Sequence, residues 1–170
     1  MKDFIETIKN IFKIEDLRAR IITTLGFILI YRLGSFIVIP GVDPSKLASL
    51  QNQTADGLLG LLNMFSGGAF GNASIFALGI MPYISASIVI QLLGMAVPYF
   101  QRLQREGESG RKKINQITRY LTVLITGFQA PTYIANLKSQ LPPEAFTISS
   151  TFFWVTAIVI LIAGTMFIMW

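Results

Sequence analysis

The sequence contains no cysteine and no histidine. That removes disulfides, thiol chemistry, the commonest general base and the commonest metal ligand in one step. Charge is also scarce. Charged residues make up 14% of the 170 and hydrophobic residues 52%, whereas a soluble domain usually carries ~25% charge. A soluble fold of this composition would lack the charge to cover its surface, and the mean hydropathy is +0.58. The net charge of +5 could suit nucleic acid, but the basic residues are dispersed among segments separated by apolar runs, so no nucleic acid is expected. Asp and Glu are confined to flanks and loops. Metal-ligand spacing, phosphate-cradling glycines followed by Lys, and nucleophile–base pairs are all missing, and Ser85 and Ser87 have no His or nearby Lys to activate them. Neither an enzyme nor a cofactor is expected. The first twenty residues mix acids and bases, and no small-residue cleavage site follows the first apolar run, so they do not read as a secretory signal.

What is present is one long stretch, Gly57 to Val97, without a charged side chain. It is about twice the ~20 apolar residues that one membrane crossing needs. Asp56 and a lightly charged segment precede it; Arg102, Arg105, Arg111, Lys112, Lys113 and Arg119 follow it. Lys and Arg collect in cytoplasmic loops, so the flanks are expected on opposite sides of a bilayer. The number of crossings is then odd, and only one fits. The surplus, 58–72, must enter the membrane zone and return, which is tolerated only inside protein or beside a water-filled cavity. Ser66-Gly67-Gly68 and Gly71-Asn72 predict a half-helix up to about Phe65, then a hinge. The crossing helix is expected over Ile75–Leu93 within a span at 74–97, with Pro82 inside it as a kink or local break. Ile80, Ile84 and Ile88 share one face of that helix. Such a row serves either ordinary packing or a hydrophobic constriction that gates by excluding water.

The remaining chain supplies the other spans. Residues 1–20 read either as an amphipathic helix on the cytoplasmic membrane face or as a solvated leader. The first span is 21–39, closed by Pro40-Gly41 and broken only by Arg32, expected as a buried charge that braces an aqueous cavity or else snorkels outward. An outside loop covers 40–57. A cytoplasmic loop covers 98–119, with a turn at Glu106–Gly110 and the basic run Arg111-Lys112-Lys113. The third span is 120–137, interrupted by Gln129, Ala130 and Pro131; an outside loop covers 138–148; the fourth span is 149–170, with Trp154 and Trp170 near its ends. Outside loops hold only Lys46 and Lys138 among basic residues. The expectation is an all-α polytopic membrane protein with four transmembrane helices, a re-entrant half-helix, and both termini cytoplasmic.

Specific runs sharpen this. NMFSGGA at 63–69, SIFALGIMPYISASIVIQLL at 74–93 and GESGRKKINQITRY at 107–120 resemble the SecY family, the channel subunits of the bacterial Sec protein translocase. RLGSFIVIPGVD at 32–43 and GTMFIMW at 164–170 fit the same family. The resemblance implies the N-terminal half of a ten-helix channel that passes unfolded secretory proteins across the bacterial inner membrane and releases transmembrane segments sideways into lipid. On that resemblance 58–72 is the plug, with Leu58, Leu61, Leu62, Met64, Phe65, Ser66, Gly67 and Gly68 as its residues. Ile80 and Ile84 belong to the pore ring, and Ser85, Ser87, Ile88 and Gln91 to the lateral gate. Implied partners are SecE, SecG, the SecA motor, the ribosome, signal-sequence-bearing substrates and the lipid bilayer. The family chain continues for about six more helices, so a truncated channel is expected. A small-solute secondary transporter with a broken helix is the alternative, and a scaffold subunit a third reading.

Overall fold

The computed structural model describes residues 12–47 and 57–169, without the side chains of Leu58 and Leu59. The expectations for 1–11, 48–56 and Trp170 lie outside the described residues. The chain forms two compact units, 1–34 and 35–170. The described part is helical; among the described residues there is no strand, only isolated antiparallel bridges pairing Val38 with Ser74 and Val42 with Phe146.

The first unit carries helix α1, Glu15–Gly34. Glu15 and Asp16 occupy its first turn and Arg32 its last, the arrangement that complements the helix dipole. The helix stops at Gly34, short of Pro40. Beyond it the backbone spends its hydrogen bonds elsewhere: Ile39 N–H donates to the Ala73 carbonyl at 2.9 Å, and Ile75 N–H to the Ile37 carbonyl at 3.0 Å. Farther along, Asp43 N–H donates to Ala145 O at 2.9 Å and Thr147 N–H to Gly41 O at 3.0 Å. Residues 37–43 are thus laced to 73–75 through one part of their backbone and to 145–147 through another.

In the second unit, α2 is Gly57–Phe65. Residues 66–80 then run as consecutive turns, and α3 is Met81–Ala96. This corrects the helix expected over Ile75–Leu93. Pro82 does not kink a helix; it sits in the first turn of one. A proline lacks the N–H that a preceding turn would need, and its fixed φ suits a helix start. Upstream, Gly79 takes φ +54°, so the apolar run 75–80 stays non-helical.

The segment 98–119 is not an irregular loop. It forms α4, Pro98–Arg105, bent 100° from α3, and the first part of α5, Glu108–Gln140. Val97 is extended (φ −110°, ψ 121°) and Pro98 opens α4, so the bend falls where proline forbids the preceding residue a helical conformation. α5 passes through Pro131 without ending, correcting the interruption expected at 129–131, and runs past 137 into the segment read as a loop. The last helix, α6, is Ser150–Met169.

Rows of buried residues at four-residue spacing bring these helices together. In α3 Pro82, Ala86, Ile90 and Gly94 are buried; in α5 Thr118, Thr122, Thr126 and Ala130; in α6 Phe153, Ala157, Leu161 and Thr165. α3 and α6 both pack on α5, along the i, i+4 ridges that helix packing uses. Each threonine of the α5 row donates its hydroxyl to the carbonyl one turn earlier, at 2.8, 2.7 and 2.7 Å. The polar atom is thereby satisfied inside its own helix, and the row behaves as small apolar surface. One apolar cluster joins Ile39, Val42, Ala73, Ala77, Tyr133, Ile134, Leu137 and Phe153, among others. Among the described residues one helix, α6, is long and apolar enough to cross a membrane by itself; α3 with α4 passes only as a bent pair.

Candidate functional site

The site grows from the root of α2. Asn63, in the last turns of that helix, makes three contacts. Its carbonyl accepts from Gly68 N–H at 2.8 Å and from the Ser66 hydroxyl at 3.1 Å, and its side-chain Oδ1 accepts from Gly71 N–H at 2.8 Å. Ser66 Oγ in turn accepts from Phe70 N–H at 3.0 Å. Gly67 and Gly68 have φ +60° and +89°, values that only glycine adopts freely. These contacts wind 66–72 into a tight turn, so the segment expected as a hinge is heavily hydrogen-bonded.

That turn is fastened to its surroundings. Tyr133 of α5 donates its hydroxyl to the Phe70 carbonyl at 2.9 Å, and the two rings meet edge to face at 4.9 Å. Asn72 Nδ2 donates to the Ser35 carbonyl at 3.3 Å. Ser66, Ala69, Ala73, Ser74 and Ala77 are buried, whereas Leu61, Met64 and Phe65 on α2 are 53%, 79% and 66% exposed. Leu62 is half-buried and, with Phe70, Leu78, Met81, Phe128 and Tyr133 among others, lines a cavity of about 420 Å³ between the α2 root and α5.

The isoleucines lie at the other end of the turn segment. Ile80 immediately precedes α3, and Ile84 and Ile88 follow on it; all three are exposed, at 46%, 39% and 51%. Ile80, Tyr83 and Ile84 share a cavity of about 340 Å³ with Thr165, Ile168 and Met169 of α6. Farther along α3, Ser85 and Ser87 are half-buried, and the exposed Gln91 donates from Nε2 to Ser87 Oγ at 3.3 Å. The structure therefore groups Ile80 and Ile84 at the α3 start, and Ser87, Ile88 and Gln91 one to two turns on. Among the described residues, none from α2 lines the isoleucine cavity. Arg32 is corrected: its side chain is exposed rather than buried, at the helix C-terminus where a cation is favoured without burial.

Sequence reading missed Asn63 and Tyr133 as site residues. Asn63 was visible as an Asn before a glycine pair. Nothing local marks Tyr133, whose partner is 63 residues away.

The geometry defines an all-helical chain built around a short helix that an apolar turn segment carries into the body of the protein. A SecY family profile matches residues 74–170. Over 157 residues the chain is 48% identical to the protein translocase subunit SecY of Rickettsia typhi, covering 91% of this chain and 36% of that protein. The SecY subunit of Escherichia coli K12 is 47% identical over 156 residues, 91% of this chain and 35% of that protein. That of Buchnera aphidicola subsp. Schizaphis graminum is 46% identical over 164 residues, 95% and 37%. The chain belongs to the SecY family, and it spans about a third of the length of these relatives.

Proposed function

We propose that this chain forms the stopper and one wall of a protein-conducting channel in a bacterial inner membrane. It works there as part of a Sec translocon with SecE, SecG, the SecA motor and the ribosome, and it passes unfolded secretory proteins. The spans are 21–39, 74–97, 120–137 and 149–170, with the N-terminus cytoplasmic. α2 and the turn after it are the plug, Ile80 and Ile84 part of the pore ring, and the Ser85, Ser87, Ile88 and Gln91 stretch part of the gate through which transmembrane segments leave for lipid.

The observation that carries this reading is the contrast across 57–80. A short apolar helix with exposed faces follows on to a buried, hydrogen-bonded turn, which ends in an exposed row of isoleucines. Apolar contact is worth ~25 cal/mol per Å² buried, so so short a helix is held by only a few kcal/mol. A signal sequence can displace it, as a gate requires. An exposed row of isoleucines makes a dewetting constriction.

The test is ion conductance through the translocase that contains this chain, in vesicles without substrate. Deleting 57–65, or replacing Ile80 and Ile84 by Asn, raises the leak. Unchanged conductance in all of these variants overturns the proposal.

A further inference from the structure

The hydrogen bonds at the α2 root divide fixed chain from free chain. From Ala69 onward the turn segment is buried and tied to α5 by Tyr133 and to residue 35 by Asn72. Before Ser66 the helix exposes Leu61, Met64 and Phe65. Between these lie Gly67 and Gly68, both in the left-handed region. A Cβ at Gly68 would meet nothing within 4 Å, so glycine is required there by its backbone angle and not by crowding. Two side-chain bonds span this glycine pair: Asn63 Oδ1 on the helix accepts from Gly71 N–H on the buried side at 2.8 Å, and Ser66 Oγ, just beyond the helix, accepts from Phe70 N–H at 3.0 Å.

We infer that Asn63 and Tyr133 are positioning residues: Asn63 braces α2 across a Gly67–Gly68 pivot, and Tyr133 anchors the buried side on which the brace pulls. Only the helix 57–65 then moves when the stopper opens, and the turn after it stays with the wall. The inference rests on the reading of α2 as a stopper.

The logic is that of an unpaired buried donor. Gly71 is buried. With the Asn63 acceptor removed, its N–H has no replacement while α2 stays seated, and a loss of this kind shifts a two-state equilibrium about tenfold or more. Tyr133 is 6% exposed, and removing its hydroxyl takes away the tie from α5 to the Phe70 carbonyl, which keeps the Ala73 N–H at 3.2 Å. Both changes lower the cost of unseating the helix without touching the pore ring.

The experiment uses the translocase that contains this chain, reconstituted in vesicles, with two readouts: potassium leak without substrate, and amide hydrogen exchange across 66–73. Asn63→Leu keeps the size and removes the acceptor; it is expected to raise the leak about tenfold and to speed exchange at Gly71. Asn63→Asp keeps the acceptor and restores both toward the unsubstituted protein. Tyr133→Phe raises the leak and speeds exchange over 69–71, while Thr132→Ala, one residue along α5, does neither. A leak equal in Asn63→Leu and Asn63→Asp overturns the brace, because size and not the acceptor would then matter. Unchanged leak in Asn63→Leu and Tyr133→Phe, where deletion of 57–65 does leak, overturns the inference but leaves the stopper standing. If that deletion does not leak, the stopper reading fails, and exchange alone decides the brace: faster exchange at Gly71 in the Leu but not the Asp variant supports it, and unchanged exchange overturns it.

Discussion

Asp43 begins a single turn of 3-10 helix, Pro44–Lys46, and one of its carboxylate oxygens accepts both Ser45 N–H at 3.0 Å and the Ser45 hydroxyl at 2.7 Å. These two bonds, the hydroxyl's first and with a smaller pull from Lys46, hold its carboxyl below the usual carboxylate range. A depressed pKa stabilises the folded turn at every pH above the unfolded value, ~3.9. The contribution fades as the pH falls below that value and through the folded one. Protection of the Ser45 amide, its exchange rate measured against the intrinsic rate at each pH, is therefore expected to fall as the pH is lowered through this window, and Asp43→Asn to abolish that fall. The same pH dependence of protection in both proteins contradicts it. The group lies at the surface, so the effect belongs to this turn and not to global stability. Asp43 as the start of a turn was legible in the sequence, because Asp before Pro and Ser names its own hydrogen bonds. Arg32 was not: a guanidinium inside an apolar run reads the same whether it braces a cavity or sits exposed at a helix end.

At the scale of elements, what could be read depended on whether local chemistry decided the boundary. α6 is apolar throughout and was visible at once. The end of α2 was marked by Ser66 and two glycines. The start of α3 was misread because the run 75–80 is as apolar as the helix after it, and apolarity carries no information about where a helix begins; Pro82 did, as a first-turn residue. The α4–α5 helices were missed because charge made 98–119 look like a loop, although Pro98 and Gly107 punctuate it. The packing of α6 on the turn segment was invisible to local reading. A Cβ at Gly164 would collide with the Ile75 carbonyl oxygen, a contact between residues far apart in sequence. Gly164→Ala gains ~1 kcal/mol in helix propensity but must push backbone aside, and overpacking typically costs ~1–3 kcal/mol. Gly127→Ala, where no atom lies within 4 Å, gains the propensity alone. Thermal unfolding in detergent should therefore place Gly164→Ala below Gly127→Ala, with the unsubstituted protein between or level with the former. Equal melting temperatures for the two variants would mean that α6 does not press on Ile75 as described.

For the whole molecule the decisive dimension is the length of α5. Its 33 residues span about 50 Å at 1.5 Å per residue, against a hydrocarbon core of ~30 Å. On the proposed topology the stretch 120–137 lies in that core, and the rest of the helix leaves it. The end that leaves carries Arg111, Lys112, Lys113 and Arg119, with Glu106 pairing to Lys113 at 3.9 Å. On the same proposal the basic segment is a helical extension of that span, joined back to α3 through α4, and it projects a positive surface from the cytoplasmic side. At the opposite end, Lys138 donates to Ser150 Oγ at 2.6 Å, with its ammonium 5.5–5.8 Å from the ring centres of Phe146, Phe153 and Trp154, where aromatic rings and a folded-back cation suit an interface. Because the chain has no cysteine, each introduced thiol reports one position. Gln104 and Thr147 are both exposed and lie beyond the two ends of α5, on opposite sides of the membrane in the proposed topology. A membrane-impermeant thiol reagent added outside sealed cells should label Thr147→Cys and spare Gln104→Cys until the membrane is opened. Labelling of both from outside would place the two ends of α5 in one compartment. The odd count of crossings between the lightly charged flank and the basic flank would then fail, and with it the reason for α2 to enter the membrane and turn back.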